Sequence, residues 1–491
     1  MKTQQVELLP TLTKEAVNDV TGYQLCGYLI ALEGWRRGLE LKWYRDESSL
    51  CKLHRMFSST HGKFYSLSNG DTLHYFYRYR GDKVANKSVT ICLDKEKTKA
   101  FLEKGNVPVP KGKTLETDEA IIDYANEIGY PVIIKPLKGS MGKGVYTNID
   151  NEAELTAVLK ELRNSYSYRQ YIVEKHYAGK EYRVYVVGDK VIGATNRIPA
   201  NVVGDGINTI EKLIELKNNE RKKNPYLATK PIEVDYEVNS MLKRAGYTVD
   251  SIPEKGEQVF LREKSNLSTG GDPIEATDEL TDEVKQIAVD ALKALPSLPH
   301  AGLDIIVNPE DNRKGVVLEI NGTAEIGFHL FPLEGKAKDV PGAIMDYYFP
   351  ETIGKEKSNF YFDYLCMLEP LKKYAVDEMK VIRTPAINMY AKKYTVTGKV
   401  NQVGYLGFIK RQALKNDLFG HAKKINKNTV EVYLIGEEKE VLDTFKKTVE
   451  KGNKKSSVEK VEEQDLVYTN EPRKTGFQVI TKTNCAETVK E

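Results

Sequence analysis

A lysine closes the apolar run Val132-Ile133-Ile134-Lys135-Pro136. At the end of a buried strand a lysine needs an anion to offset its desolvation. The residues that follow, Leu137 to Val145, place glycines at 139, 142 and 144 around Ser140 and Met141. Glycines at that density let backbone N–H groups close on a phosphate with no Cβ in the way. A ligand-free hairpin tip explains the loop about as well when it is read alone. It is not a Walker loop, because its Gly-Lys is followed by Gly144 and not by Ser or Thr. Gly112-Lys113-Thr114 fails too, since Val107 stands where the first glycine belongs.

Three further stretches carry chemistry. Tyr171-Ile172-Val173-Glu174-Lys175 and Gly179-Lys180-Glu181-Tyr182-Arg183-Val184 join apolar residues to carboxylates. They suit an adenine slot with a polar edge, Glu181 accepting from ribose hydroxyls. Two half-exposed strands with surface charges are the better reading of these residues alone. Gly302–Val307 and Gly315–Gly322 flank the polar turn Asn308–Lys314 and form a hairpin that sets Asp304 nearly opposite Leu318 and Glu319. Glu319 and Asn321 are two apart and share a face. Oxygens of Asp304, Glu319 and Asn321 converging there make a site for a hard cation such as Mg²⁺. Without a cation, two carboxylates among apolar residues would each cost several kcal/mol. A solvated strand face is the poorer reading, because the flanking residues are nearly all apolar. Finally, Phe260-Leu261-Arg262 runs into Ser265-Asn266-Leu267-Ser268-Thr269-Gly270-Gly271. Arg262 could clamp an anionic oxygen bidentately, although a plain polar loop also fits.

These residues need elements to hold them. Lys95–Lys104 reads as a short helix closed by Gly105. Thr117–Ile128 reads as another, with Thr117 as N-cap and Gly129 as stop. Asn151 with Glu154 opens a third through a capping box. Thr281–Leu295 carries Val284, Ile287, Ala288, Ala291, Leu292 and Leu295 on one side. Strands and helices alternate here, as in an α/β region with sheet-borne sites. Upstream, Tyr23–Arg37 reads as a helix and Leu39–Tyr44 as a strand. Lys63–Leu67 and Thr72–Tyr79 form a hairpin about Asn69-Gly70. Downstream, Val396–Val403 and Thr429–Leu434 read as strands, Lys410–Leu418 and Glu440–Glu450 as helices.

The 491 residues allow about three domains. The expected division is an N-terminal domain at 1–90, a central domain at 91–352, a charged connector at 353–386, a small α+β domain at 387–480 and a tail at 481–491. Lys and Arg total 73 against 70 Asp and Glu, a net charge of +3. That balance argues against a nucleic-acid partner met by a broad basic face. Cysteines at 26, 51, 92, 366 and 485 form no CxxC, which fits a reducing compartment better than disulfides or zinc. The N-terminus has no apolar signal-peptide core, and no apolar run of 18 exists, so a cytoplasmic protein with no membrane span is expected.

Taken in order, the four motifs resemble the ATP-grasp superfamily over about residues 91–350. The match is most similar to the ATP-grasp domain of cyanophycin synthetases and bifunctional glutathione synthetases. It is carried by Asn196-Arg197-Ile198-Pro199-Ala200-Asn201-Val202-Val203-Gly204-Asp205-Gly206, by Ser265 to Gly271, by Glu319-Ile320-Asn321, and by His329-Leu330 with Pro332 and Glu334-Gly335. The resemblance implies two α+β subdomains clamping ATP, behind a small α/β N-terminal domain that walls the cleft. It implies Lys95 and Lys135 as phosphate lysines. Gly139, Ser140, Met141, Gly142, Gly144 and Val145 become the loop over the β- and γ-phosphates. Glu174 with Lys175 lies at the adenine, Glu181 at the ribose. Asp304, Glu319 and Asn321 hold Mg²⁺ or Mn²⁺, and Arg262 holds the transferred phosphoryl group. Arg197, Ser265, Asn266 and His329 would reach substrate, although for His329 a packed histidine is the commoner explanation. The implied activity joins a carboxylate to an amine, on an amino acid or small peptide, through an acyl phosphate. A homo-oligomer is compatible with it. No Walker motif follows, as a cyanophycin synthetase would require, and about 90 residues in front are too few for a γ-glutamylcysteine-forming domain. Substrates are therefore not expected to transfer from either relative.

Residues 394–480 resemble acylphosphatase, a ferredoxin-like fold. The agreement lies in Gly398-Lys399-Val400, Val403-Gly404-Tyr405, Lys410-Arg411-Gln412-Ala413-Leu414, Asn428-Thr429-Val430-Glu431-Val432 and Gly476-Phe477. The family's phosphate cradle falls on Asn401–Leu406. Its catalytic arginine position holds Leu406, its water-positioning asparagine position holds Lys424, and a cradle glycine is replaced by Gln402. A folded but hydrolytically dead module is expected. An acyl-phosphate hydrolase, with Lys410, Arg411 or Lys424 substituting, and a non-catalytic nucleotide-binding scaffold are the two competing readings.

Overall fold

The computed structural model describes residues 6–18, 20–45, 62–137 and 144–481. Near the N-terminus the helix Tyr23–Arg36 backs a five-stranded antiparallel sheet. Its hairpin, Phe64–Ser68 with Leu73–Tyr77, turns at Asn69-Gly70 as the dipeptide predicts. Asn69 Oδ1 accepts from the N–H groups of Asp71 and Thr72 at 3.0 and 2.7 Å, and Gly70 takes a φ of +99°.

The outer strand of that sheet, Glu378–Lys380, comes from the stretch expected to be a connector, pairing Trp43 with Met379. The reason is apolar and was diluted by charge. Phe360, Phe362, Tyr364, Leu368, Leu371 and Val381 are all buried in the core of Tyr28, Trp35 and Trp43. Trp35 Nε1 donates to the Ile382 carbonyl at 2.7 Å. The same core continues through Val340, Ile344 and Tyr348 to Tyr185 and Phe328, so the first unit is packed onto the central one.

The central unit holds two sheets. One has the order Asp272–Glu275, Lys190–Ile198, Lys180–Val187, His300–Val307, Gly315–Asn321, every neighbour antiparallel. The helix Asp282–Ala294 covers it with Val284, Ala288, Ala291 and Leu292. The other has the order Gly112–Leu115, Tyr171–Lys175, Val132–Pro136, Tyr146–Ile149 and carries the helices Asp118–Ile128 and Glu152–Ser165. Thr117 caps the first helix. Asn151 Oδ1 accepts from Glu154 N at 3.0 Å, and Glu154 returns a carboxylate to Asp150 N at 2.9 Å. The strand pairing is thus α+β within each sheet. Between the two halves of the first sheet, residues 200–261 build a unit of their own around Val202, Ile210, Val238, Leu242 and Leu261.

The C-terminal sheet has the order Ser457–Leu466, Tyr390–Lys399, Thr429–Gly436, Phe419–Lys424, Phe477–Ile480, with helices Tyr405–Lys415 and Lys439–Lys451. The strand expected at Val396–Val403 lies earlier, at Tyr390–Lys399, and the helix expected at Lys410 opens at Tyr405. Between them the chain must turn: Gln402 has φ +61° and Gly404 φ +77°. Among the described residues no helix is long and apolar enough to cross a membrane.

Candidate active site

Lys135 ends its strand beside Glu174, Nζ to Oε2 at 2.5 Å. The register explains the meeting: Ile133 stands opposite Glu174 and Lys135 two residues on shares Ile133's face. Lys95 opens its helix, whose N-cap Asp94 accepts from Lys97 N at 3.1 Å. One turn further, Lys99 reaches Glu174 Oε1 at 3.7 Å and donates to the Gly112 carbonyl at 3.1 Å. Lys99 was missed in the sequence, although its i, i+4 spacing from Lys95 was a readable signal. Lys95, Lys99, Lys135, Glu174 and Glu319 line one cleft between the two central sheets, closed on its apolar side by Leu102 and Val317. Burial pushes the Lys95 ammonium below the usual lysine range, and Lys135 adds to this while Glu319 and Glu174 oppose it. A cluster of cations held out of water in this way is ready for an anionic guest. Lys175 turns away and donates to the Gly129 and Tyr130 carbonyls at 3.0 and 2.7 Å. Gly139, Ser140, Met141 and Gly142 lie outside the described residues. Gly144, at φ +69°, and Val145 lead into the strand Tyr146–Ile149.

Across the cleft the hairpin pairs Asp304 with Glu319 and Gly302 with Asn321. Asp304 is buried, and Arg183 grips it bidentately, Nη2 to Oδ2 at 2.9 Å with Nε on Oδ1. Arg197 Nη2 lies 3.3 Å from the same Oδ1 and also pairs with Glu181. Burial pushes the Asp304 carboxyl up, but Arg183 and then Arg197 bring it below the usual carboxylate range. Arg183 was not singled out in the sequence, where it reads as one surface charge on a strand. Two carboxylates and an amide on neighbouring strands fit a hard divalent cation, with Asp304 shared between that role and the two guanidiniums. Among the described residues no three His, Cys, Asp or Glu side chains form a metal cluster, so Asn321 is needed to complete a set.

Beyond Asn321 opens a pocket of about 600 Å³. Arg183, Arg197, Asn266 and Asn321 line it together with Tyr226, Lys230, Glu325 and Phe328. Ser268 lies on its wall, whereas Ser265 is not among its lining residues. Gly22, at the start of the first long helix, reaches the rim, so the N-terminal unit contributes to the wall.

Two candidate residues are held by other partners in this structure. Arg262 does not reach either cleft. Its guanidinium is bound by Asp235 at 2.6 Å and Glu237 at 2.5 Å and donates to the Thr269 and Glu233 carbonyls at 3.1 and 3.3 Å. In this arrangement Arg262 ties the start of the neighbouring helix to the Ser-Thr-Gly-Gly loop. His329 is 1% exposed and faces the interior. Its Nδ1 lies 3.1 Å from Thr195 Oγ1, and among the described residues Nε2 has no hydrogen-bond partner.

Burial lowers His329 to a pKa of about 3 and His300, whose Nδ1 meets the Tyr185 hydroxyl at 3.1 Å, to about 4. Both are neutral in the fold and take up a proton more readily when unfolded. Their contribution to stability is full above an unfolded pKa near 6.5 and is lost as pH falls toward 4 and 3. Urea denaturation should therefore show stability falling by up to about 1.4 kcal/mol per pH unit for each histidine in the window below the unfolded pKa near 6.5 and above the folded values of about 4 and 3. His329→Gln should flatten half of that slope.

In the C-terminal unit the turn after the first strand is held from below. Asn401 Nδ2 donates to the Asn426 and Lys427 carbonyls, both at 3.0 Å, and Asn453 Nδ2 to the Val403 carbonyl at 2.9 Å. Leu406 is packed against the unit's core, and Lys424 ends the strand Phe419–Lys424 opposite Val430.

Residues 92–205 match the model of the RimK-like ATP-grasp domain, and residues 392–479 match that of acylphosphatase. A cyanophycin synthetase of Trichormus variabilis is 38% identical over 279 residues, 55% of this chain and 30% of that protein. A glutathione biosynthesis bifunctional protein of Clostridium perfringens is 32% identical over 300 residues, 58% of this chain and 38% of that protein. The crystal structure of a bifunctional glutathione synthetase from Pasteurella multocida covers 61% of this chain and 41% of its own at 29% identity, with a TM-score of 0.47. The chain spans about a third of the length of the curated relatives it matches.

Proposed function

We propose that this chain, which carries a RimK-like ATP-grasp domain and an acylphosphatase domain, is a ligase that uses ATP and a divalent cation to join a carboxylate to an amine. One observation carries the reading. The strand Gly315–Asn321 presents Glu319 to the lysine-lined cleft and Asn321 to the large pocket, so the oxygen donors stand between the two. A nucleotide in the first and a carboxylate in the second would meet at these donors.

In this reading Lys95 and Lys135 bind phosphate oxygens, and Glu174 sets the Lys135 ammonium. Glu319, Asn321 and Asp304 would hold Mg²⁺, or Mn²⁺, which supplies charge neutralisation at the phosphates. A substrate carboxylate oxygen attacks the γ-phosphorus, the bond to the ADP oxygen breaks, and an acyl phosphate forms. An amine then attacks the acyl carbon, phosphate leaves with the C–O bonding electrons, and the amine proton passes to solvent. Arg183 and Arg197, prepositioned on Asp304, are placed to neutralise the oxygens of that intermediate. The protein's share is orientation, charge and exclusion of water.

An amino-acid or dipeptide screen for ATP-dependent phosphate release, with mass spectrometry of the product, tests this. The expected product weighs the sum of acid and amine less one water. ATP hydrolysis indifferent to every added acid and amine would overturn the reading. An acyl-phosphate hydrolase is disfavoured by Leu406 and Lys424. A non-catalytic scaffold is disfavoured by the convergence of Lys95, Lys135, Asp304, Glu319 and Asn321.

A further inference from the structure

The wall of the large pocket carries a charged cluster that acyl-phosphate chemistry does not require. The Tyr226 hydroxyl donates to Glu325 Oε2 at 2.6 Å. Lys230 Nζ lies 3.9 Å from the same oxygen and 3.7 Å above the Tyr226 ring. Both contacts fall on Oε2; among the described residues none reaches Oε1. Burial pushes the Tyr226 hydroxyl far up, and Glu325 adds to this, so it stays a donor. Burial also lowers the Lys230 ammonium, against the pull of Glu325, and the ring face takes up part of its charge.

The cluster is rigidly mounted. Arg221 is fully buried and donates to the Lys230 carbonyl from Nε and Nη2 at 3.1 and 2.9 Å. Its Nη1 holds Asp272 Oδ1 at 2.9 Å, where Lys217 meets the other oxygen at 2.5 Å. A half-desolvated carboxylate with one oxygen fixed and the other turned to a cavity is a receptor for a cation. Arg183, Arg197 and Asn321 line the same pocket, two guanidiniums and an amide whose chemistry suits a carboxylate. Phe328 and Leu267 add apolar wall.

We propose that Glu325, set by Tyr226 and Lys230, binds an ammonium group on the carboxylate substrate, so that the acid this chain activates is an amino acid or peptide with a free amino group. The inference rests on the ligase reading of the same pocket and adds to it a demand on the substrate.

Hydroxylamine captures acyl phosphates as hydroxamates and so replaces the unknown amine. The full chain is given ATP, Mg²⁺, hydroxylamine and one acid at a time: each amino acid, glycyl dipeptides, the N-acetyl form of each, and propionate. Hydroxamate is expected from acids with a free amino group, with KM at least about 10-fold higher for the N-acetyl forms, the worth of one charge-assisted hydrogen bond. Glu325→Gln should raise KM for the free amino acid about 10-fold while leaving KM for ATP in place, and Tyr226→Phe should do so more weakly. N-acetyl acids that serve equally well, or an unmoved KM in Glu325→Gln, would overturn the inference. Hydroxamate from propionate or N-acetyl acids alone overturns it and leaves the ligase standing. Silence with every acid overturns both.

Discussion

Replacing Glu319 with alanine should abolish ligase turnover while leaving the fold in place. The side chain sits where two electrostatic systems meet. On one side it opposes the lowering of the Lys95 ammonium by burial and by Lys135, and on the other it helps hold the Arg183 charge. It faces Asp304 directly across the hairpin, and Asp304 is already divided between two guanidiniums. Removing Glu319 therefore takes away the carboxylate among the three donors that forms no ion pair among the described residues, and the remaining set, an arginine-bound Asp304 and an amide, is poor for a dication. A loss on the order of 10³-fold in turnover is expected, as for removal of one directed charge from a transition state. Glu319→Gln keeps shape and loses charge, and should fall almost as far. Glu319→Asp, a weaker but charged donor, should retain part of the activity at raised cation concentration. Thermal melting should change little, because the side chain is half-exposed and its cationic neighbours are also reached by water. Phosphate release measured across a Mg²⁺ titration checks this; wild-type turnover in the alanine variant would remove Glu319 from the site.

Why Glu319 was legible and Arg183 was not is a matter of environment. A carboxylate inside Val317-Leu318-Glu319-Ile320 contradicts its neighbours, and a contradiction in the sequence points to a ligand. Arg183 sits in Glu181-Tyr182-Arg183-Val184, an ordinary alternating strand in which a charged residue every second position signals only solvent. Its partner Asp304 is 121 residues away, and only the antiparallel pairing of Lys180–Val187 with His300–Val307 brings them together. Caps and turns were readable because they are local: Thr117, Asn151 and Asn69 all do what their types dictate. Arg262 shows the converse. Its place at a strand end running into Ser, Thr and two glycines suggested an anion, and in the fold its partners are Asp235 and Glu237, 25–27 residues earlier in the chain. The stretch 353–386 misled for a third reason. Its charges set the average, while six buried aromatic and aliphatic side chains set the structure. Lys230 and Glu325 are 95 positions apart in number and carry no motif, so this part of the pocket wall exists only in three dimensions.

The full chain should hydrolyse benzoyl phosphate no faster than buffer, although its C-terminal unit keeps the strand order and turn of a phosphate cradle. The turn itself has survived substitution. Gln402 holds φ +61°, a conformation that costs a side-chain-bearing residue about 1–2 kcal/mol relative to glycine, and Asn401 and Asn453 brace the loop through carbonyl contacts. What the unit lacks is the arginine and the asparagine that the acylphosphatase resemblance implies for hydrolysis, their positions holding Leu406 and Lys424. Leu406 lies against the core, where it adds to packing and offers a phosphate nothing. Lys424 carries a charge but no acceptor with which to orient water. Losing a directed cation and a water-orienting amide should together remove roughly 10⁴-fold or more of any rate enhancement. Such a silence has a physical rationale beside a ligase site, since an active hydrolase on the same chain would consume the acyl phosphate before an amine arrived. Leu406→Arg with Lys424→Asn should restore measurable hydrolysis and, in the same protein, raise ATP consumption per amide formed. Brisk hydrolysis by the unaltered chain would mean that Lys410, Arg411 or Lys424 has taken over the cradle, and that the C-terminal unit is an enzyme in its own right.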